Sequence, residues 1–246
     1  MKKCIYLTAM LLSVISSSYA GGHYWAMNTS AGLNFFGITQ REMDNVRAYQ
    51  SAKDYQYGWN PHAATSFHIG FMPEYYLTNK FSLSAGLRLT NTWSKFESKY
   101  DFFYYKTGSE GYNTYYYKVK SISQSNTYVG IPLEFRFTIR GSGRPTPYIR
   151  AGATFNFRCT TSTTIRNYNP NTRGLKGEIT IPDADNFTMP IYAAAGYQFG
   201  HQKSFCVEAV FPYIVAVGSM SGLGFSDNLG GGIQISYQFA KNKPEE

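Results

Sequence analysis

Residues 81–94 read FSLSAGLRLTNTWS. Leu83, Ala85, Leu87, Leu89 and Trp93 are apolar, and Ser82, Ser84, Gly86, Arg88 and Thr90 stand between them. Successive side chains of a strand point to opposite faces, so this period of two sorts the segment into one apolar face and one small or ionic face. A chain that repeats such a strand builds a sheet with one side for hydrocarbon and one for polar groups.

The pattern does repeat outward from this segment, while no sustained 3.6-residue period is found after Tyr24. Upstream, about 25–37 sets Ala31, Leu33 and Phe35 against Ser30, Gly32 and Asn34, and about 66–77 sets Phe67, Ile69 and Phe71 against His68, Gly70 and Glu74. Downstream, a strand ending at Arg140 presents Val129, Ile131, Leu133 and Phe135 against Gly130, Glu134 and Arg136. Four more follow at about 147–158, 187–199, 204–217 and 228–239, with Phe205, Val207, Ala209, Phe211 and Tyr213 expected on one face of the third of these. The expected fold class is all-β, an antiparallel transmembrane β-barrel of about eight strands.

Connection lengths carry the membrane reading. Thr78–Lys80, Gly141–Thr146 and Gly200–Lys203 are short, whereas about 38–65, 95–114 and 159–186 are long and polar, with a shorter Gly/Ser-rich loop near 218–227. Short periplasmic turns and long extracellular loops are the asymmetry of outer-membrane barrels. A soluble sandwich or lipocalin-like barrel also alternates, but it turns the apolar face inward. Here Tyr75, Phe81, Phe137, Tyr197, Phe199, Phe205, Tyr237 and Phe239 gather near the short turns. Aromatic side chains at one level form a membrane-interface girdle, and Trp93, Phe67 and Tyr213 are expected in the opposite one. Pro73, Pro132, Pro190 and Pro212 fall within or at the start of strands, in the inward phase, and call for bulges or breaks in pairing.

The first residues have the layout of a secretory signal: Lys2 and Lys3, an apolar stretch Ile5–Ile15, then Ser16-Ser-Ser-Tyr-Ala20. Cleavage is expected after Ala20, leaving 21–246 as one barrel domain whose last strand ends near Phe239, with a short tail 240–246. No apolar run reaches the length of a membrane helix. Cys159 and Cys206 are placed on opposite faces and at opposite strand ends, which argues against a bridge. The chain holds 22 Tyr and 18 Phe with only 15% charged residues, and removing Lys2 and Lys3 lowers its formal charge from +8 to +6. The cations are scattered without a basic helix, so nucleic acid is not an expected partner.

The run Tyr128-Val-Gly-Ile-Pro-Leu-Glu-Phe-Arg-Phe137, the run Pro147-Tyr-Ile-Arg-Ala-Gly-Ala153 and a last strand ending in Phe239 resemble the PorT-like outer-membrane β-barrel proteins of the Bacteroidetes. The resemblance implies an eight-stranded barrel in a Gram-negative outer membrane. It brings no shared catalytic residues, and some members of the family assist a dedicated secretion system.

With apolar side chains outward, Glu74, Arg88, Glu134, Arg136, Arg150 and Glu208 point into the lumen, three acids against three bases. An eight-stranded barrel is only wide enough to fill with side chains, so this set reads as an ion-pair plug, with a gate or narrow ion path as the alternative. An outer-rim enzyme would draw on His62 and His68 with Ser66 or Asp54, but no Gly-x-Ser-x-Gly elbow supports it. No catalytic residue, metal site or cofactor is expected. Tyr55, Trp59, Phe103, Tyr104 and Tyr105, in the long loops, are candidate contacts for a surface protein or glycan, with strand extension as the alternative for such residues. Outer-membrane lipid and lipopolysaccharide are the expected surroundings of a monomer, with loop cations such as Lys95, Lys118 and Arg166 placed to meet phosphates. The functions left open are a structural or adhesive surface barrel, a narrow pore, and an accessory of secretion or envelope biogenesis.

Overall fold

The computed structural model describes residues 24–36, 59–78, 80–98, 104–107, 115–139, 145–167, 183–200, 203–222 and 229–239, and they contain strands and turns but no helix. In chain order the strands are β1 (Tyr24–Phe36), β2 (Trp59–Tyr76), β3 (Phe81–Ala85), β4 (Leu87–Ser98), β5 (Tyr104–Thr107), β6 (Tyr115–Thr138), β7 (Thr146–Asn167), β8 (Phe187–Phe199), β9 (Ser204–Val217) and β10 (Leu229–Phe239). All the pairings are antiparallel, and β10 pairs with β1 from Met27↔Phe239 to Phe36↔Gly230, which closes the ring. β3 and β4 are two halves of one stave, both flanked by β2 and β6, so the barrel has eight staves; β5 lies off the ring and pairs only with β6.

The barrel is inside-out relative to a soluble protein. Leu33, Phe67, Ile69, Leu133, Phe135, Ile149, Ile233 and Ile235 are exposed on its outer wall, while Asn28, Glu74, Arg88, Gln124, Glu134, Arg150, Glu208 and Gln234 are buried within. An unbroken apolar belt around a polar core is stable in lipid, where closure also satisfies the backbone of every stave. The aromatic side chains by the short turns meet in pairs: Trp25 with Tyr75 at 4.8 Å, Phe81 with Phe137 at 4.8 Å, and Tyr237 with Phe239 at 6.3 Å between ring centroids. The chain is therefore a membrane-spanning β-barrel.

The prolines explain where pairing is interrupted. Continuing the registers on each side places Gly86, the gap between β3 and β4, opposite Met72 on β2 and Pro132 on β6, with Ala85 opposite Pro73. Two neighbours that lack an N–H thus flank one break in the stave. A side chain on Gly86 would run into the carbonyl oxygen of Phe71 and lie 2.8 Å from Met72 Cα, so the backbones approach closely there. Pro212 sits in a bulge of β9, where Tyr213 and Val210, three residues apart, face Gly230 and Gly232 on β10 and Tyr192 and Ala194 on β8. Pro190 borders a second register shift.

Three expectations need correction. Pro73 pairs with Met27 in the outward register of Phe71 and Tyr75, not in the inward phase. The bulge at Phe211–Pro212 reverses the phase of β9, so Tyr213 is buried in the lumen instead of joining an outer girdle. Trp59, His62 and the start of β2 belong to a strand, not to the first outer loop, and Tyr104 and Tyr105 are strand residues of β5 paired with Lys118 and Tyr117.

Candidate functional site: the barrel lumen

Because even-numbered positions of β1, β2, β3, β4 and β6 face inward, their polar side chains converge on the axis in tiers. The tier nearest the short turns is neutral. Gln198 Nε2 donates to Ser204 Oγ at 2.8 Å, Ser204 Oγ to Gln238 Oε1 at 2.8 Å, and Gln238 Nε2 to the Tyr76 hydroxyl at 2.7 Å.

The next tier is ionic. Glu134 lies between two guanidinium groups, with Arg88 Nη2 2.6 Å from Oε1 and Arg150 Nη1 2.8 Å from Oε2, and it also accepts from the Tyr192 hydroxyl. Arg150 turns its other nitrogen to Glu208 Oε1 at 2.6 Å, where the Tyr148 hydroxyl donates at 2.6 Å. Glu74 is held by Asn28 Nδ2 at 2.7 Å, Gln238 Nε2 at 3.1 Å and the Ser82 hydroxyl, with Arg136 Nη1 at 3.7 Å. Arg136 in turn donates to Gln198 and lies 3.7 Å above the Tyr148 ring. The structure thus brings together Glu74, Arg88, Glu134, Arg136, Arg150 and Glu208, and every stave supplies at least one partner. Formal charges cancel within the set. Buried charges persist only when paired and hydrogen-bonded.

Above this lies a mixed tier. Tyr192 stacks on Tyr213 at 5.8 Å, Phe36 meets Tyr213 edge-on at 5.3 Å, His68 Nε2 is 3.0 Å from Gln234 Oε1, and Asn34 Nδ2 donates to Ser66 Oγ at 3.3 Å.

The last tier comes from the chain that leaves β9. Gly218, at φ +72°, makes a turn that residues with a Cβ rarely adopt. Met220 and Ser221 then fold into the mouth and are fully buried. The Met220 carbonyl accepts from Thr92 Oγ1 and Asn126 Nδ2, both at 3.0 Å, and its side chain packs with Tyr128, Ala184 and Val215. Ser221 Oγ is 2.9 Å from Ser94 Oγ and 3.0 Å from Gln124 Oε1, which also accepts from Gly222 N at 2.7 Å. Asp185 ties this segment to the β7–β8 connection through Ser219 N at 2.7 Å. The outer loop expected near 218–227 is described as far as Gly222, and that part folds into the mouth of the barrel as a lid.

The remaining sequence candidates are engaged in the lumen or lie outside the described residues. His68 is buried against Gln234, Ser66 is bonded to Asn34, and Asp54, Tyr55 and Phe103 lie outside the described residues. Cys206 is buried in the lumen, and Cys159, past the middle of β7, is half-buried; the two do not form a disulfide. Among the described residues no cluster of His, Cys, Asp or Glu converges as a metal site. Tyr148, Tyr192 and Tyr213 are among the lumen groups not singled out from sequence. The inward phase of β7 and β8 contained the first two, whereas the bulge hid the third.

No protein-family model matches the chain, and no curated protein matches it. Among solved structures, the outer membrane protein OprG from Pseudomonas aeruginosa is similar over 90% of this chain and 97% of its own, at 11% identity and a TM-score of 0.39. LpxR from Salmonella typhimurium is similar over 87% of this chain and 99% of its own, at 9% identity and a TM-score of 0.28.

Proposed function

We propose that this protein is a non-conducting, non-enzymatic barrel of a Gram-negative outer membrane, of the PorT-like kind, which acts as a monomeric pedestal for surface contacts made outside its belt. The observation that carries the reading is the double seal of the lumen: an ionic tier to which every stave contributes, and a lid bonded to Ser94, Gln124, Asn126 and Thr92. Conduction needs a continuous path of groups that bind ions weakly enough to release them. Here Glu134 is taken up by Arg88, Arg150 and Tyr192, which leaves little capacity for a passing ion or for general-base work.

Single-channel recording on the purified barrel in planar bilayers tests this. The expected result is no current from the intact protein and none from a variant lacking the lid alone, with current appearing when lid removal is combined with Arg88→Ala and Glu134→Ala. Steady current through the intact barrel would overturn the reading in favour of a narrow pore. Surface contact is tested separately by shortening the connection between β1 and β2, with loss of cell-surface binding expected while the barrel stays folded. A crosslinked partner at the short-turn end alone would favour an accessory role in secretion.

A further inference from the structure

A furrow crosses the outer wall obliquely. Its floor is backbone, the cross-strand row Ser236, Ser30, Gly70 and Arg88, whose side chains point inward or are absent. One bank is the row Phe205, Tyr237, Thr29, Phe71 and Leu87; the other is the row Ile235, Ala31, Ile69, Leu89 and Val129. On β1 the furrow is bordered only by Thr29 and Ala31, between bulky neighbours, and its volume is about 640 Å³, within the ~300–1,000 Å³ of small-molecule sites. Strands lie ~4.8 Å apart, so a row across six staves is about 24 Å long. Strands tilted ~45° incline it by a similar angle, so it descends through roughly 17 Å of a hydrocarbon core about 30 Å thick. Its width is one side-chain row. These are the dimensions of a single acyl chain.

What stands at its upper end points to the headgroup. Leu89 and Val129 close the furrow on β4 and β6, and the next outward pair toward the long loops is Asn91 and Thr127. Asn91 Nδ2 donates to Thr127 Oγ1 at 3.1 Å and Ser125 Oγ at 3.2 Å. Each hydroxyl keeps further hydrogen-bonding capacity. Beyond them the same face carries Ser123, paired with Lys95, then Thr160, Ser162, Thr164 and Arg166 on β7. A hydroxyl- and amide-rich wall with cations at its upper edge suits a sugar headgroup that bears phosphate.

We infer that the wall formed by β10, β1, β2, β4 and β6 holds one molecule of a phosphorylated glycolipid of the lipopolysaccharide type, with an acyl chain in the furrow and sugars on Asn91, Ser125 and Thr127. The inference rests on the membrane reading and deepens it.

Native mass spectrometry of the full chain, extracted from outer membranes in mild detergent, tests the site. One retained glycolipid per barrel is expected. Filling the furrow with Thr29→Phe and Ala31→Phe should lower retention about tenfold, equivalent to ~1.4 kcal/mol. Ala195→Phe, on the opposite wall, should leave retention unchanged. Should the furrow variant fail to fold, Asn91→Ala with Thr127→Ala serves instead; it should lose the glycolipid while the barrel stays folded. Equal retention by wild type and both variants, or a phospholipid in place of the glycolipid, overturns the proposal. So does a second copy crosslinked across the furrow. Failure of the membrane reading itself is distinct: the protein would then leave the membrane fraction on carbonate washing, whatever lipid it carries.

Discussion

Glu134 is the residue on which the ionic tier turns. Its carboxylate answers Arg88 and Arg150 together and receives the Tyr192 hydroxyl, all out of reach of water. Removing one partner of a buried pair strands the other charge at about 3–5 kcal/mol. Glu134→Gln should therefore lower stability toward urea by that amount. Glu74→Gln should cost visibly less, because Arg136 lies 3.7 Å from the Glu74 carboxylate and keeps Gln198 and the face of Tyr148 when that charge is gone. Unfolding of the two variants in lipid vesicles gives the comparison; equal losses would show that Arg136 depends on Glu74 as fully as Arg88 and Arg150 depend on Glu134.

At the scale of elements, the third stave shows how local sequence and long-range pairing share the work. Gly86 is where β3 passes into β4, beside Pro132 and next to the partner of Pro73, and the neighbouring backbone occupies the space of a side chain. Gly86→Ala should overpack the wall and cost about 1–3 kcal/mol. Gly130→Ala presses on the side chains of Asn156 and Thr154, which can give more readily, and should cost less. Thermal or urea unfolding of the pair checks the order. The strands inside the belt were legible because lipid and lumen impose opposite chemistry on alternate residues, and the inward phase delivered the six charged groups of the lumen. Which Glu meets which Arg was not legible, since that depends on stagger between staves. Trp59, Tyr104 and Tyr105 read as loop residues for a related reason: above the belt lipid no longer sorts the two faces of a strand, so pairing continues after the alternation has faded. Tyr213 was lost to one extra residue in β9, and Met220 to contacts with partners 94 and 128 residues away.

For the whole molecule, the choice of what is buried decides the response to solution conditions. The ion pairs of the lumen lie under the lid on one side and under Gln198, Ser204 and Gln238 on the other, so dissolved salt does not screen them as it screens surface charges. Stability in vesicles should be nearly constant between ~0.1 M and ~1 M salt, where the screening length falls from about 10 to 3 Å. A marked loss at high salt would mean that ions reach the tier and that the seals leak. On one flank the sheet also runs on past the apolar belt. β6 and β7 stay paired as far as Val119 and Asn167, and β2 and β4 as far as Trp59 and Ser98. Paired backbone is stiff, so whatever is joined to these four strands is held at a fixed height above the lipid, as a lectern holds a page.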